Sequence, residues 1–316
     1  MTALPDYLLP YDDGVFAIDT GFHRPRFDAA YLIADAGRAA FVDTGTNHAV
    51  PRLLATLEAL QIQVDAVNWV IPTHVHLDHA GGAGLLMRSL PLARMAVHPR
   101  GERHMVDPSA LYAGASAVYG EAEMERSYGR PVGVEPARVI TTHDGMTLTL
   151  GTRVLEFIDT PGHARHHHCV WDARTRTWFT GDTFGLGYPE MVNANGHWVT
   201  PTAAPVQFDP EPLKASVARL LVREPSALCV THYGRVPYAP HLGPLLLSQI
   251  DEMAAIGNRL RDEPERHTRL REAFVSMYRH RLAEHGFTDV EARLPLMAMD
   301  VELNAQGLAC WLDRKS

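Results

Sequence analysis

The sequence predicts an α/β protein that ends in a helical appendage. Three observations carry this. Short β-rich runs alternate with segments of helical periodicity through the first 240 residues. Several of those runs stop abruptly on His or Asp, as strands do when their carboxyl ends carry a site. From His241 onward the apolar residues recur at three- and four-residue steps, the mark of amphipathic helices.

The elements follow in order. Val15–Asp19, Ala30–Ala34 and Ala39–Val42 read as opening strands. Pro51 to Leu60 reads as a helix, with Pro in the first turn where its missing N–H does no harm. Val67–Ile71 is the next strand, Gly81 to Leu90 a helix and Met95–His98 a short strand. The stretch Pro99 to Pro136 holds Tyr112, Tyr119 and Tyr128 without strand alternation, so it is expected to be a helical insert, packed on the surface or closing over a site. Val139–Thr141, Thr147–Leu150, Arg153–Asp159, His168–Trp171 and Thr177–Thr180 resume the strands. Phe184 to Gln207 is too long for a simple connection, and loops of that length are often functional. Pro210 to Arg223 reads as a helix, and Ala227–Thr231 as the last strand.

A long helix then runs through Leu242, Leu246, Ile250, Met253, Ile256 and Leu260. Pro264 opens a second one that Gly286 closes. Thr288 with Glu291 offers a capping box, Pro295 breaks or restarts the helix, and Leu303 to Leu312 form the tail. The expected organisation is a domain over residues 1–240 and a helical region over 241–316.

The chemistry concentrates in His74-Val75-His76-Leu77-Asp78-His79, directly after the strand Val67–Ile71. In an extended loop, His74 and His76 project to the same side, because side chains alternate with period two. Asp78 and His79 come after a turn and can face a second point nearby, so the spacing suits two adjacent metal ions better than one. Three other strand-like runs also end on ligand-type side chains: Glu156–Thr160 leads to His163, Thr177–Thr180 to Asp182, and Ala227–Thr231 to His232. Imidazole and carboxylate suit Zn(II), Fe(II) and Mn(II), and the set contains no thiolate. Asp43 is expected to orient a ligating histidine, as carboxylates behind metal ligands commonly do.

This set resembles the metallo-β-lactamase-fold hydrolase superfamily, in the branch of hydroxyacylglutathione hydrolases. The resemblance rests on Thr73-His74-Val75-His76-Leu77-Asp78-His79-Ala80-Gly81-Gly82, Thr160-Pro161-Gly162-His163, Gly181-Asp182-Thr183, Thr231-His232 and the earlier Phe41-Val42-Asp43-Thr44-Gly45, and it runs from about residue 13 to about 240. It implies an αβ/βα four-layer sandwich (the metallo-β-lactamase fold). It also implies that His74, His76 and His163 hold one metal, that Asp78, His79 and His232 hold the other, and that Asp182 bridges them. Asp78 is assigned a catalytic part as well. The implied cofactors are two divalent transition-metal ions, Zn first, with Fe or Mn as alternatives. The net charge of such a centre, about +1, favours an anionic or strongly polarised substrate. Four residues past His163 the family shows a Gly and then a His. His167 matches the His and reads as a buried structural histidine, whereas His166 replaces the Gly.

Composition narrows the partners. With 316 residues and 46% apolar content the chain can bury a sizeable core. A net charge of −8 argues against a nucleic-acid surface. No stretch approaches ~18 uninterrupted apolar residues, Met1 to Pro10 lack a signal-peptide pattern, and Cys169, Cys229 and Cys310 form no spaced framework. A cytoplasmic protein acting on a small molecule is expected, without nucleic-acid or membrane partners and compatible with a homo-oligomer.

The resulting expectation is a binuclear metal-dependent hydrolase that cleaves an ester, thioester or lactone by metal-bound hydroxide. The alternatives are a mononuclear iron sulfur dioxygenase, a phosphodiesterase and a metal-binding regulatory protein with little turnover. True β-lactamases of the family lack the bridging Asp that Asp182 supplies, and the flavodiiron branch carries a carboxylate where His76 stands. Tyr188, His197 and Tyr233 are the candidate substrate contacts. His98, His104 and His143 lack ligand-like spacing and read as ordinary polar residues.

Overall fold

Alternation along Ala29–Asp35 sets the first two layers. In the computed structural model, which describes residues 4–314 and only the backbone at 118 and 119, Ala30 and Leu32 join a core shared with helix residues. Tyr31 faces the other way, with its ring edge-on to Phe179 at 5.3 Å and its hydroxyl donating to Val230 O at 2.5 Å. The strand belongs to a seven-stranded sheet ordered β1 (Leu8–Pro10), β2 (Val15–Asp19), β3 (Ala29–Asp35), β4 (Arg38–Val42), β5 (Val67–Ile71), β6 (Arg94–Val97) and β7 (Val139–Thr141). β1 to β4 pair antiparallel, and β4 to β7 pair parallel.

Parallel neighbours require crossovers, and the chain supplies helices for them. α1 (Val50–Ala59) links β4 to β5; α2 (Leu77–Ala80) and α3 (Ala83–Ser89) link β5 to β6. The 99–136 insert contributes α4 (Glu102–Val106), α5 (Ser109–Tyr119) and α6 (Glu121–Ser127) before β7. Leu53 and Leu57 of α1, with Leu86 and Met87 of α3, pack against Leu32, Phe41 and Val70 of the sheet.

The remaining strands are β8 (Thr147–Leu150), β9 (Arg153–Asp159), β10 (His168–Asp172), β11 (Thr177–Gly181), a short ribbon of β12 (Val192–Asn193) with β13 (Gly196–His197), then β14 (Ala227–Val230) and β15 (Gly234–Pro237). The second sheet runs β15-β14-β11-β10-β9-β8, antiparallel from β8 to β11 and parallel between β11 and β14.

The chain divides into two compact units. The first comprises residues up to Asp159, His166–Gly181 and Pro225–Arg235, and so carries both sheets apart from the end of β15. The second comprises Thr160–Arg165, Asp182–Glu224 and the chain from Val236 on. Its helices are α7 (Pro210–Leu221), α8 (Leu242–Arg259), α9 (Arg266–Glu284), α10 (Val290–Arg293) and α11 (Ala298–Asp313). Inside this unit Trp198 meets Tyr278 edge-on at 6.0 Å, and Asn304 accepts from Ala203 N at 2.6 Å while donating to Tyr278 Oη at 2.6 Å. No described helix is long and apolar enough to cross a membrane.

Four expectations are corrected. The helix expected over 81–90 starts at Ala83, and a separate one-turn helix, α2, precedes it. The strands β1 and β15 were not apparent in the sequence. The Thr288–Glu291 capping box does not form: Asp289 occupies the N-cap of α10 without a side-chain cap, and Glu291 pairs with Arg279 at 2.5 Å. Pro295 restarts the helix, so α11 begins at Ala298 rather than at Leu303.

Candidate metal centre

In the first unit one carboxylate ties three strand ends together. Asp43, just past β4, accepts from Thr73 N at 2.7 Å and from Thr73 Oγ1 at 3.0 Å, past β5, and from Thr231 Oγ1 at 2.8 Å, past β14. Its fourth partner is His79 Nδ1 at 2.8 Å. Asp43 has a φ of 56°, a left-handed conformation that Asp tolerates better than most residues, and the surrounding hydrogen bonds hold it there.

This network fixes tautomers. Because His79 Nδ1 donates to Asp43, Nε2 presents a lone pair, 3.8 Å from Asp78 Oδ2. His232 Nδ1 donates to Phe27 O at 3.1 Å, which leaves its Nε2 lone pair 3.5 Å from the same Asp78 oxygen. One donor atom from each of Asp78, His79 and His232 lies within 4.8 Å of the others. Two neutral imidazoles and a carboxylate arranged in this way fit a divalent transition-metal ion.

The first two ligand candidates sit beside this tripod. His76 occupies the N-cap of α2 in an extended conformation, and its Nδ1 lies 2.8 Å from His74 Nε2. The His74 ring stacks on fully buried His167 with centroids 4.8 Å apart. Gly181 completes the packing: its φ is 47°, and a Cβ there would meet Thr73 Oγ1 at 2.5 Å and His167 Nε2 at 2.6 Å.

Further groups surround these residues that sequence reasoning passed over. His166 Nδ1 accepts from Val75 N at 3.4 Å, and its ring lies 5.5 Å from that of His76 and 6.5 Å from that of His104. Adjacency to His163 in sequence was the available signal. Asp28, next to the residue whose carbonyl holds His232, is fully buried and accepts from Thr20 Oγ1 at 2.6 Å. Burial pushes its carboxyl up to about 7. Nothing in the sequence pattern marked it.

The second unit holds the remaining ligand candidates. His163 Nε2 lies 3.4 Å from Asp182 Oδ2, and His163 Nδ1 faces Thr202 O at 3.3 Å, which again turns the Nε2 lone pair toward the carboxylate. Of the substrate candidates, Tyr188 is 2% exposed and donates to Asp300 Oδ1 at 3.1 Å, inside this unit. His197 is half-buried in β13, and that burial lowers its pKa. Tyr233, in the first unit, is buried, its hydroxyl has no hydrogen-bond partner among the described residues, and burial raises its pKa.

The chain has the ligand pattern of a known metalloprotein class, and the comparisons name it. Residues 23–232 match the model of the metallo-beta-lactamase superfamily, and the chain belongs to that superfamily. Its fold is the metallo-β-lactamase fold, an α/β architecture, with C-terminal helices. It is similar to a type A flavoprotein, fprA, of Rhodobacter capsulatus, 28% identical over 50% of this chain and 32% of that one. It is also similar to the human acyl-coenzyme A thioesterase MBLAC2 (27% identical, 54% of this chain and 63% of that one). With the hydroxyacylglutathione hydrolase of Acidiphilium cryptum it shares 27% identity over 68% of this chain and 69% of that one. This chain thus spans about a third of the flavoprotein and less than two thirds of the thioesterase. The crystal structure of the archaeal superfamily protein ST1585 from Sulfolobus tokodaii has the same fold, with a TM-score of 0.64, 21% identity and coverage of 97% of this chain and all of that one.

Proposed function

We propose that this protein is a binuclear metal-dependent hydrolase of an ester, thioester or lactone. The observation that carries the proposal is the Asp78–His79–His232 tripod, whose two imidazoles are fixed in metal-binding tautomers by Asp43 and by Phe27 O. In this reading Asp78, His79 and His232 hold one ion, His74, His76 and His163 hold the other, and Asp182 bridges them. The identity of the ions as Zn is part of the proposal. Two such cations supply Lewis acidity and lower the pKa of a water toward neutrality.

The chain's own residues divide the remaining work. Asp43 holds His79 against rotation, so the donor geometry is set before substrate arrives. Asp78 is the partly exposed member of the tripod, with a quarter of its side chain accessible, and is placed to contact substrate. Relatives whose names state thioester and hydroxyacylglutathione hydrolysis support the acyl-transfer chemistry.

A panel of thioesters, esters, lactones, phosphodiesters and β-lactams, run in heavy-oxygen water, tests the proposal. The expected result is turnover within the first three classes. Label should enter the carboxylate product with no acyl-enzyme, and rates should be largely unchanged when Cys169, Cys229 and Cys310 are all replaced by Ala. Turnover confined to phosphodiesters, oxygen uptake on a persulfide, or a kinetically competent acyl-enzyme would overturn it.

A further inference from the structure

Between the loop after β2 and the end of α6 lies a cavity of about 360 Å³. Phe22 and His23 wall it on one side, Thr46 and His48 on a second, and Arg126 and Ser127 on a third. All six residues belong to the first unit. The volume sits at the small end of ligand sites, enough for one functional arm rather than a whole cofactor.

Packed residues lead from the cavity walls to the tripod. Gly82, three residues past His79, approaches Thr46 so closely that a Cβ would meet Thr46 O at 2.6 Å. On the opposite wall the Phe22 ring lies 6.1 Å from that of Phe27, and Phe27 stands edge-on to His232 at 5.3 Å. Burial lowers the pKa of His23, and the carboxylates of Asp78 and Glu123 oppose that shift.

The insert is tied over this space. Asn47 N donates to Tyr128 O at 3.1 Å, His48 Nε2 meets Glu125 O at 3.2 Å, and Asn47 Nδ2 donates to Arg130 O. These contacts fix the end of α6, and with it Arg126, at the cavity. The Arg126 guanidinium pairs with Glu123, which also accepts from Ser127 Oγ. Glu123 engages one Nη of the fork, and a guanidinium carries five N–H donors, so others remain for a ligand. The arginine side chain is 75% exposed, and an ion pair that open contributes little that an incoming anion must displace.

We propose that this cavity receives an oxyanionic arm of the substrate, a carboxylate or phosphate, held by Arg126 and His23 while the reacting bond lies at the tripod. The placement of the reacting bond rests on the hydrolase reading; the anion site stands on the cavity's own geometry. An Arg fork beside an imidazole and hydroxyls suits a carboxylate or phosphate group, which takes charge-assisted, bidentate hydrogen bonds.

Two measurements on the metal-loaded full chain test it. In calorimetric titrations with inorganic phosphate, Arg126→Ala should weaken binding about tenfold, with partial recovery in Arg126→Lys. His23→Asn, which tolerates the positive φ of 55° at that position, should weaken it less. In kinetics on matched esters with and without a terminal carboxylate, Arg126→Ala should raise KM for the anionic ester alone, with metal content unchanged. Phosphate loss in the variant without turnover of any ester, thioester or lactone would sink the hydrolase reading and leave the anion site standing. Phosphate binding that is absent, or indifferent to both substitutions because it occurs at the metals, would overturn the anion site, as would equal loss on both esters.

Discussion

The Asp43 network and the stretch 188–199 use their polar groups in opposite ways. In and beside the Asp43 network two hydrogen bonds turn imidazole nitrogens toward one point: His79 is held by the carboxylate, His232 by Phe27 O, and both present Nε2 to Asp78. Along the second segment the hydrogen bonds lead into the helices that follow. Tyr188 bonds Asp300, Asn193 and Asn195 bond His285 O at 3.1 and 2.7 Å, and Val199 O accepts from Gln249 at 2.7 Å. A long polar loop is therefore weak evidence of a binding wall when a helical appendage is available to absorb its polar groups. Convergence of fixed tautomers on one carboxylate is the stronger signal, because a buried network without a ligand has little need for it.

The widest separation between the two regions should come from a matched pair of variants. Asp43→Ala frees His79 and unties Thr73 and Thr231, and should cost about 10- to 100-fold in metal affinity or activity. Tyr188→Phe removes one buried hydrogen bond and should cost about 1 kcal/mol of unfolding free energy while leaving kcat/KM unchanged. Metal titration, urea unfolding and steady-state kinetics on both variants would decide it. If Tyr188→Phe shifts substrate preference at constant metal content, the contrast between the regions fails.

A smaller effect separates ligand-type histidines from structural ones. His168 is buried at the start of β10, its Nδ1 2.9 Å from Thr142 Oγ1, and burial lowers its pKa to about 3. The native state keeps the ring neutral, whereas the unfolded chain takes up a proton below about 6.5. His168 therefore contributes its full stability above that pH and loses it as pH falls toward 3, with a slope of up to about 1.4 kcal/mol per pH unit. Unfolding curves collected between pH 5 and 7.5 should show that slope, and His168→Gln should flatten it without changing metal content. An unchanged slope would mean that the ring is already charged in the native state.

The strands were legible because their residues obey local rules. Val15–Asp19, Val67–Ile71, Val139–Thr141, Thr147–Leu150 and Arg153–Asp159 appear with the bounds that alternation and turn residues implied. The ligand candidates were legible because they cluster in one loop and at strand ends, and Asp43 was identifiable as an orienting carboxylate. Residues that work through distant neighbours were not. Arg126 and His23 are about a hundred positions apart in sequence and share no pattern, and they line one cavity only because Asn47 and His48 anchor the insert. Asp28 reads as an ordinary loop carboxylate until its burial is seen. β1 and β15 are short edge strands whose sequences, Leu8–Pro10 and Gly234–Pro237, contain or border on turn residues.

The central claim is that two ions share the seven candidate ligands, and metal content per chain tests it most directly. Elemental analysis of protein saturated with its metal and freed of excess should give two transition-metal ions per chain. Asp182→Asn should lower occupancy at both sites, and His232→Ala should remove one ion preferentially. A saturated wild-type protein that holds a single ion, retained in full by His232→Ala, would contradict the account.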